Sequence, residues 1–154
     1  MRLRTIVTAI LAAVILAFTV LSLSSCGMVM YAARHGLSTP PASEFGMGPR
    51  TSLAGSYSAT LAPAAPFKVG PLQTVRIAVR DKAGAPVRGA HIAIDGGMPQ
   101  HGHGLPTKPR VVAEEADGVY VVDGLRFNMG GWWELKFAVD GAAGADRVTF
   151  NVRL

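Results

Sequence analysis

The sequence predicts an all-β fold, an immunoglobulin-like β-sandwich of about seven strands that follows an apolar N-terminal segment. Two observations support this prediction. After residue 56, apolar and polar residues alternate with a period of two over several stretches, as in strands that bury one face. The 18 glycines and 10 prolines fall largely between such stretches, which is typical of the many turns of all-β proteins.

The first 25 residues have the composition of an export signal. Arg2 and Arg4 precede an apolar run over 6–23, and small residues then lead to Cys26. This order resembles a bacterial lipobox, where the cysteine is lipidated and the signal is removed. An uncleaved membrane anchor is the alternative, because about 18 apolar residues are enough to span a bilayer.

Both interpretations place the rest of the chain outside the cytoplasm, because the positive charges precede the apolar run. Residues 32–55 are rich in Gly, Pro, Ser and Ala without an apolar period, which is typical of a tether. We therefore expect a signal peptide or anchor at 1–25, a flexible tether at 26–55 and a β-sandwich domain at 56–154. The expected protein is a periplasmic lipoprotein of the cell envelope.

Seven stretches predict the strands in order. They are 57–61, 74–80, 87–94, 110–115, 119–124, 132–139 and 147–153. The apolar positions of their alternating patterns predict a core that includes Val75, Ile77, Val79, Ile92, Ile94, Trp133, Leu135, Phe137, Val148 and Phe150. Trp132 falls in the polar register, so we expect it at an edge, where its loss costs little. If consecutive strands are antiparallel, the connections at 62–73, 95–109 and 125–131 share one end of the domain.

The stretch GGMPQHGHGLPTKP, residues 96–109, predicts a metal site. Met98, His101 and His103 lie within six residues, and Met129 comes from a connection at the same end. Thioethers suit copper(I) and imidazoles suit copper(II), so such a set can serve both oxidation states where free thiols are oxidised. The alternative is a solvated polar loop that binds no metal.

Other functional classes have little support in the sequence. The net charge of +5 is scattered and does not interleave with aromatic residues, which argues against nucleic-acid binding. There is no nucleophile elbow, no phosphate-binding loop and no carboxylate pair beside the histidines, so we do not expect an enzyme.

Three segments, GMPQHGHGLPTKPRV, DGVYVVDGLRFNMGGWWELKFAV and DRVTFNVRL, together resemble the YtkA-like domain family, which is related to FixH-type proteins. The resemblance covers about 57–154. The matching residues are Met98, Pro99, His101, Gly102, His103, Gly104, Pro109, Gly118, Tyr120, Gly124, Leu125, Phe127, Met129, Gly131 and Trp133.

The resemblance implies a small, membrane-tethered extracytoplasmic β-sandwich. It also implies copper handling or a role in assembling copper-containing respiratory oxidases. FixH-type proteins are anchored by an uncleaved helix, whereas this chain carries a lipobox-like Cys26. Two functions follow. In the first, the domain binds copper and either buffers it or passes it to a receiving protein. In the second, the domain is a metal-free structural or interaction module of the envelope.

Overall fold

The computed structural model describes residues 38–154. The predicted signal or anchor, Cys26 and the first part of the predicted tether, through residue 37, lie outside the described residues. Within the described range, no helix has the length and hydrophobicity needed to cross a bilayer.

The described residues form nine strands and two 3₁₀ turns, without an α-helix. The all-β class is therefore confirmed, and each of the seven predicted strands is present. The strands are β1 (Arg50–Thr51), β2 (Tyr57–Pro63), β3 (Gln73–Asp81), β4 (His91–Met98), β5 (His103–Gly104), β6 (Arg110–Glu115), β7 (Val119–Leu125), β8 (Trp132–Gly141) and β9 (Gly144–Arg153). The 3₁₀ turns are Ala42–Glu44 and Ala116–Gly118.

These strands belong to one hydrogen-bonded sheet, in the order β1-β2-β3-β7-β6-β4-β8-β9, with β5 beside β4. The expected separation into two sheets is wrong, because the pairing of Ala93 with Arg110 joins β4 to β6. At the other margin, the Leu53 N–H donates to the Arg147 carbonyl at 2.8 Å. The sheet is consequently curled into a nearly closed, barrel-like form. Alternation shows which face of a strand is buried, but it does not show which strands pair.

The core fills the inside of this curled sheet. Of the ten predicted core residues, Ile94 alone is half-buried, and the others are buried. Aromatic rings pack edge to face there, with centroids 5.2 Å apart for Phe127 and Trp133 and 5.8 Å apart for Phe137 and Phe150. Such contacts add to the stabilisation from the burial of apolar surface.

Trp132 is buried, with 5% of its surface exposed, so its predicted exposed edge position is wrong. Its side chain lies on the outer face of the sheet, where its indole N–H donates to the Asn151 side-chain oxygen at 2.9 Å. The Asn151 amide in turn donates to the Glu44 carbonyl, and the Arg153 guanidinium lies 4.6 Å from the centre of the Phe45 ring. The segment before β1 therefore crosses this outer face near Trp132.

The second half of the predicted tether is part of the folded unit, which extends from Thr39 to Leu154. The Gly46 N–H donates to the Asn151 carbonyl at 3.1 Å, and the Met47 carbonyl accepts from the Leu61 N–H. Residues 39–55 thus pair with both margins of the sheet. A low density of apolar residues indicates a tether only when the backbone finds no strand to pair with.

Three connections meet at one end of the sheet, as strand parity predicts. Gln73 at the start of β3 pairs with Leu125 at the end of β7, and Gly97 in β4 pairs with Glu134 in β8. The connections at 64–72, 99–109 and 126–131 consequently lie together. We call this end of the domain, defined by those three connections, the histidine pole.

Candidate functional site

The predicted loop after residue 95 is a tight hairpin rather than an open loop. Strand β4 continues through Met98, and Met98 pairs with His103 in β5. The turn is closed because the N–H groups of His101 and Gly102 both donate to the Met98 carbonyl at 3.0 Å. Gly102 has φ +65°, a left-handed conformation that favours glycine. The turn therefore fixes the backbone positions of His101 and His103 relative to each other.

Gly96 and Gly97 allow the backbone to approach its neighbours closely beneath this turn. A Cβ atom on Gly96 would lie 2.3 Å from the Glu134 carbonyl oxygen, and one on Gly97 would lie 2.2 Å from the His103 carbonyl oxygen. No side chain larger than hydrogen fits at these distances. The glycine pair thus brings the hairpin against β8.

The two histidines present their imidazoles to solvent, side by side. Both are exposed, with ring centroids 6.2 Å apart and ring planes inclined by 10°. A metal–nitrogen bond of about 2 Å places each centroid about 3 Å from the ion, so a shared ion allows a separation of up to about 6 Å. The observed spacing lies at that limit. Rotation of either exposed side chain between rotamers is enough to bring the nitrogens closer.

Met98 connects the histidine turn to the neighbouring loop. It is buried, and it is the direct cross-strand partner of His103, so the two side chains leave the same face of the hairpin. A Cβ atom on Gly131 would lie 2.8 Å from the Met98 Cε, which puts this thioether against the 126–131 connection. Met98 is thus a core residue that touches both loops of the predicted site.

Met129 lies in that second loop, with 36% of its surface exposed. Its backbone carbonyl accepts a hydrogen bond from the indole N–H of Trp133 at 3.1 Å. The buried Trp133 therefore fixes the loop backbone and leaves the Met129 side chain at the surface. All four predicted ligand residues lie at the histidine pole.

An open groove of about 280 Å³ runs beside the hairpin, and Met98 and His103 contribute to its lining. Asp95, Glu134 and Lys136 also line it. The Lys136 ammonium lies 2.8 Å from a Glu134 carboxylate oxygen, and Asp95 accepts from the Gly96 N–H at 2.7 Å. Both carboxylates thus already have partners.

Among residues 38–154, no three side chains of His, Cys, Asp or Glu are grouped closely enough to hold a metal ion. The donor types that could hold a soft or borderline metal at this pole are the two imidazoles and the thioethers of Met98 and Met129.

Sequence reasoning did not identify the polar side of the groove. Asp95 and Glu134 are far apart in the chain, and they come together only through the pairing of β4 with β8. The signal available was the Gly96–Gly97 pair within an otherwise regular strand, because glycines inside a strand often mark a close backbone approach.

A comparison with protein families gives one match. Residues 51–138, more than half of the chain, match the sequence profile described as YtkA-like. The match contains both the histidine hairpin and the Met129 loop. A search of curated proteins finds no match for the chain. The chain belongs to the YtkA-like family.

Proposed function

We propose that this protein is a membrane-tethered extracytoplasmic domain that binds one copper ion at the histidine pole and serves in copper handling or delivery. The tether is the lipid on Cys26 or the uncleaved apolar segment. The observation that carries the proposal is the pair of exposed, nearly parallel imidazoles of His101 and His103 on a turn whose cross-strand partner is a methionine.

The chemistry of the donors favours copper over harder ions. Imidazole nitrogens bind copper(II), and thioether sulfurs bind the softer copper(I). Magnesium and calcium prefer several oxygen ligands, whereas the carboxylates of the groove are engaged with Lys136 and with backbone. We infer that His101 and His103 form the primary ligand pair. Met129 from the second loop and the buried Met98 at the end of β4 are the further ligands.

The positions of the ligands suit uptake and release. Both histidines are exposed, so an ion bound there remains accessible to an acceptor protein. Neutral imidazole is the form that binds a metal, so acidification weakens binding by protonating the ligands. A binding and delivery role also agrees with the absence, in the sequence, of a recognisable catalytic motif.

The test is a titration of the full chain, purified in detergent without a histidine tag, with copper(I) and copper(II) separately against a competing chelator. The double variant His101→Ala/His103→Ala should lose at least about tenfold in copper(II) affinity, since metal-ligand losses are of this order or larger. His91→Ala is the matched control, because His91 is exposed on β4 at the opposite end. Nitrogen couplings in the copper(II) electron paramagnetic resonance spectrum should disappear only in the double variant.

The thioethers are tested by Met129→Leu and Met98→Leu, which conserve volume and keep the fold. Both should weaken copper(I) binding more than copper(II) binding. Equal affinities of the wild type and the double histidine variant would contradict the proposal. That result would favour the second function, a metal-free interaction module of the envelope that acts, for example, in assembly of a respiratory oxidase.

A further inference from the structure

The histidine pole carries most of the large apolar side chains that are exposed in the described residues. These exposed side chains are Leu53, Val69, Leu72, Val112 and Met129, and Val69, Leu72 and Met129 belong to the pole. Leu72 is 65% exposed. The Gly70 N–H donates to the Phe127 carbonyl at 2.8 Å, which ties the loops of these residues together. Clustered exposed apolar residues indicate a contact surface.

The three connections of the pole are also cationic. They contain Lys68, Lys108 and Arg126, and no aspartate or glutamate. The adjoining strand ends carry three carboxylates, those of Asp95, Asp123 and Glu134. Glu134 pairs with Lys136, Asp95 accepts from the Gly96 N–H and Asp123 accepts from the Thr74 hydroxyl.

The turns at the opposite end of the domain carry both signs of charge. Asp81, Asp117, Asp140 and Asp146 lie in or beside them together with Lys82, Arg88 and Arg147. The domain therefore presents its acid-free, cationic loops in one direction. Cationic loops with exposed apolar residues match the chemistry of an anionic lipid surface.

The chain enters the folded unit at this same pole. Thr39 accepts a hydrogen bond from the Gln100 side-chain amide at 2.8 Å, within the histidine turn. Thr39, the first residue of the folded unit, therefore lies beside the histidine turn.

We propose that the histidine pole is the face that the domain turns toward the membrane, where Val69, Leu72 and Met129 contact the headgroup region of an anionic lipid surface. Lys68 and Arg126 add electrostatic attraction. This inference rests on the proposed tethering and adds an orientation to it. The ligand residues of the pole then face the bilayer, so exchange takes place at the membrane surface.

The experiment compares two exposed leucines at opposite ends of the domain. Leu72→Cys and Leu53→Cys are made in the full chain, labelled with a thiol-reactive fluorophore and reconstituted into vesicles of phosphatidylethanolamine and phosphatidylglycerol. A fraction of the lipids carries a headgroup nitroxide, which quenches nearby fluorophores. The chain without an added cysteine is the labelling control, because an acylated Cys26 does not react with the fluorophore.

We expect quenching to be several-fold stronger at position 72 than at position 53. The variant Lys68→Glu/Arg126→Glu, or replacement of phosphatidylglycerol by phosphatidylcholine, should reduce the quenching at position 72. Equal quenching at both positions overturns the proposed orientation. A label at position 72 that is shielded from water but not quenched also overturns it and indicates a protein, such as a second copy, on the pole.

Flotation of the vesicles separates this inference from the proposed function. A chain that does not float with the vesicles contradicts both the tethering and the orientation. A chain that floats without position-dependent quenching contradicts the orientation alone. None of these measurements uses copper, so the result of the copper titration is independent.

Discussion

Trp132 and Trp133 are neighbours in β8, and their side chains leave opposite faces of the sheet. Trp133 is fully buried against Phe127 in the core, whereas Trp132 is buried on the outer face beside Asn151. Each indole N–H has an acceptor. One residue pair thus stabilises both the core and the attachment of the segment that precedes β1.

We predict that Trp133→Ala and Trp132→Ala each lower the free energy of unfolding by about 3–5 kcal/mol, the range for removal of a large buried aromatic. Chemical denaturation of the full chain measures both values. A loss below about 1 kcal/mol for Trp132→Ala, typical of a surface position, would contradict its burial on the outer face.

A second prediction concerns Gly131, which has φ +125° and faces the Met98 Cε. Gly131→Ala should cost more than about 1 kcal/mol, because alanine is strained at this φ and meets the thioether. Gly130→Ala is the matched control, since its Cβ would make only an ordinary contact at 3.5 Å. Thermal unfolding of the two variants should show a clear drop for Gly131→Ala alone.

At the scale of the elements, neighbouring strands of the sheet differ in how many residues they pair. Strands β8 and β9 pair from Trp132–Arg153 to Gly141–Gly144, whereas β4 and β6 share the single pair Ala93–Arg110. The β4–β6 contact is therefore the narrow junction of the curled sheet. Local opening is easiest where the fewest backbone hydrogen bonds must break.

Hydrogen exchange should show this difference directly. We predict that the backbone amides of β6 that point away from β7 exchange much faster than amides in the β8–β9 pairing. The measurement is amide exchange by nuclear magnetic resonance or mass spectrometry at neutral pH. Uniform protection across β4, β6, β8 and β9 would show that the junction opens only with the whole fold.

The strands also show how much of the fold the sequence predicts. Alternation locates the seven long strands, because burial of one face imposes a period of two. It misses β1 and β5, whose two residues each are too few to show a period. It also misplaces Trp132, whose outer face is covered by residues distant in the chain. The site residues are found from their chemistry, but the burial of Met98 and the groove beside it depend on strand pairing.

For the whole molecule, the closing contact between the first and last strands depends on Asp146. Its carboxylate accepts hydrogen bonds from the N–H groups of Ala54 and Ser56. The hydrogen bond with Ser52 lowers its pKa most, and those with the backbone N–H groups of Ala54, Arg147 and Ser56 lower it further. The charged form is thus favoured by folding. An isolated aspartate has a pKa of about 3.9. The stability that the Asp146 carboxylate contributes is therefore complete above that pH and is lost as the pH falls toward the lowered pKa.

We predict that Asp146→Asn destabilises the protein at neutral pH and that its deficit relative to wild type narrows below about pH 4, where the unfolded carboxyl is protonated. Denaturation midpoints from pH 2.5 to pH 7, set by the buffers, provide the comparison. Asp140→Asn, a change of an exposed aspartate on the neighbouring strand, is the control. Parallel pH curves for wild type and Asp146→Asn would contradict the role of this carboxylate.

The hydrogen bond between the Trp133 indole and the Met129 carbonyl makes the fluorescence of Trp133 a probe of the Met129 loop. Indole emission responds to the polarity around the ring and to paramagnetic ions nearby. The Trp133 ring is hydrogen-bonded to the loop that carries the exposed Met129 side chain. Trp132→Phe leaves Trp133 as the single tryptophan, because the chain has two. Its emission would then follow events at one end of the domain without a dye, a tag or a second protein.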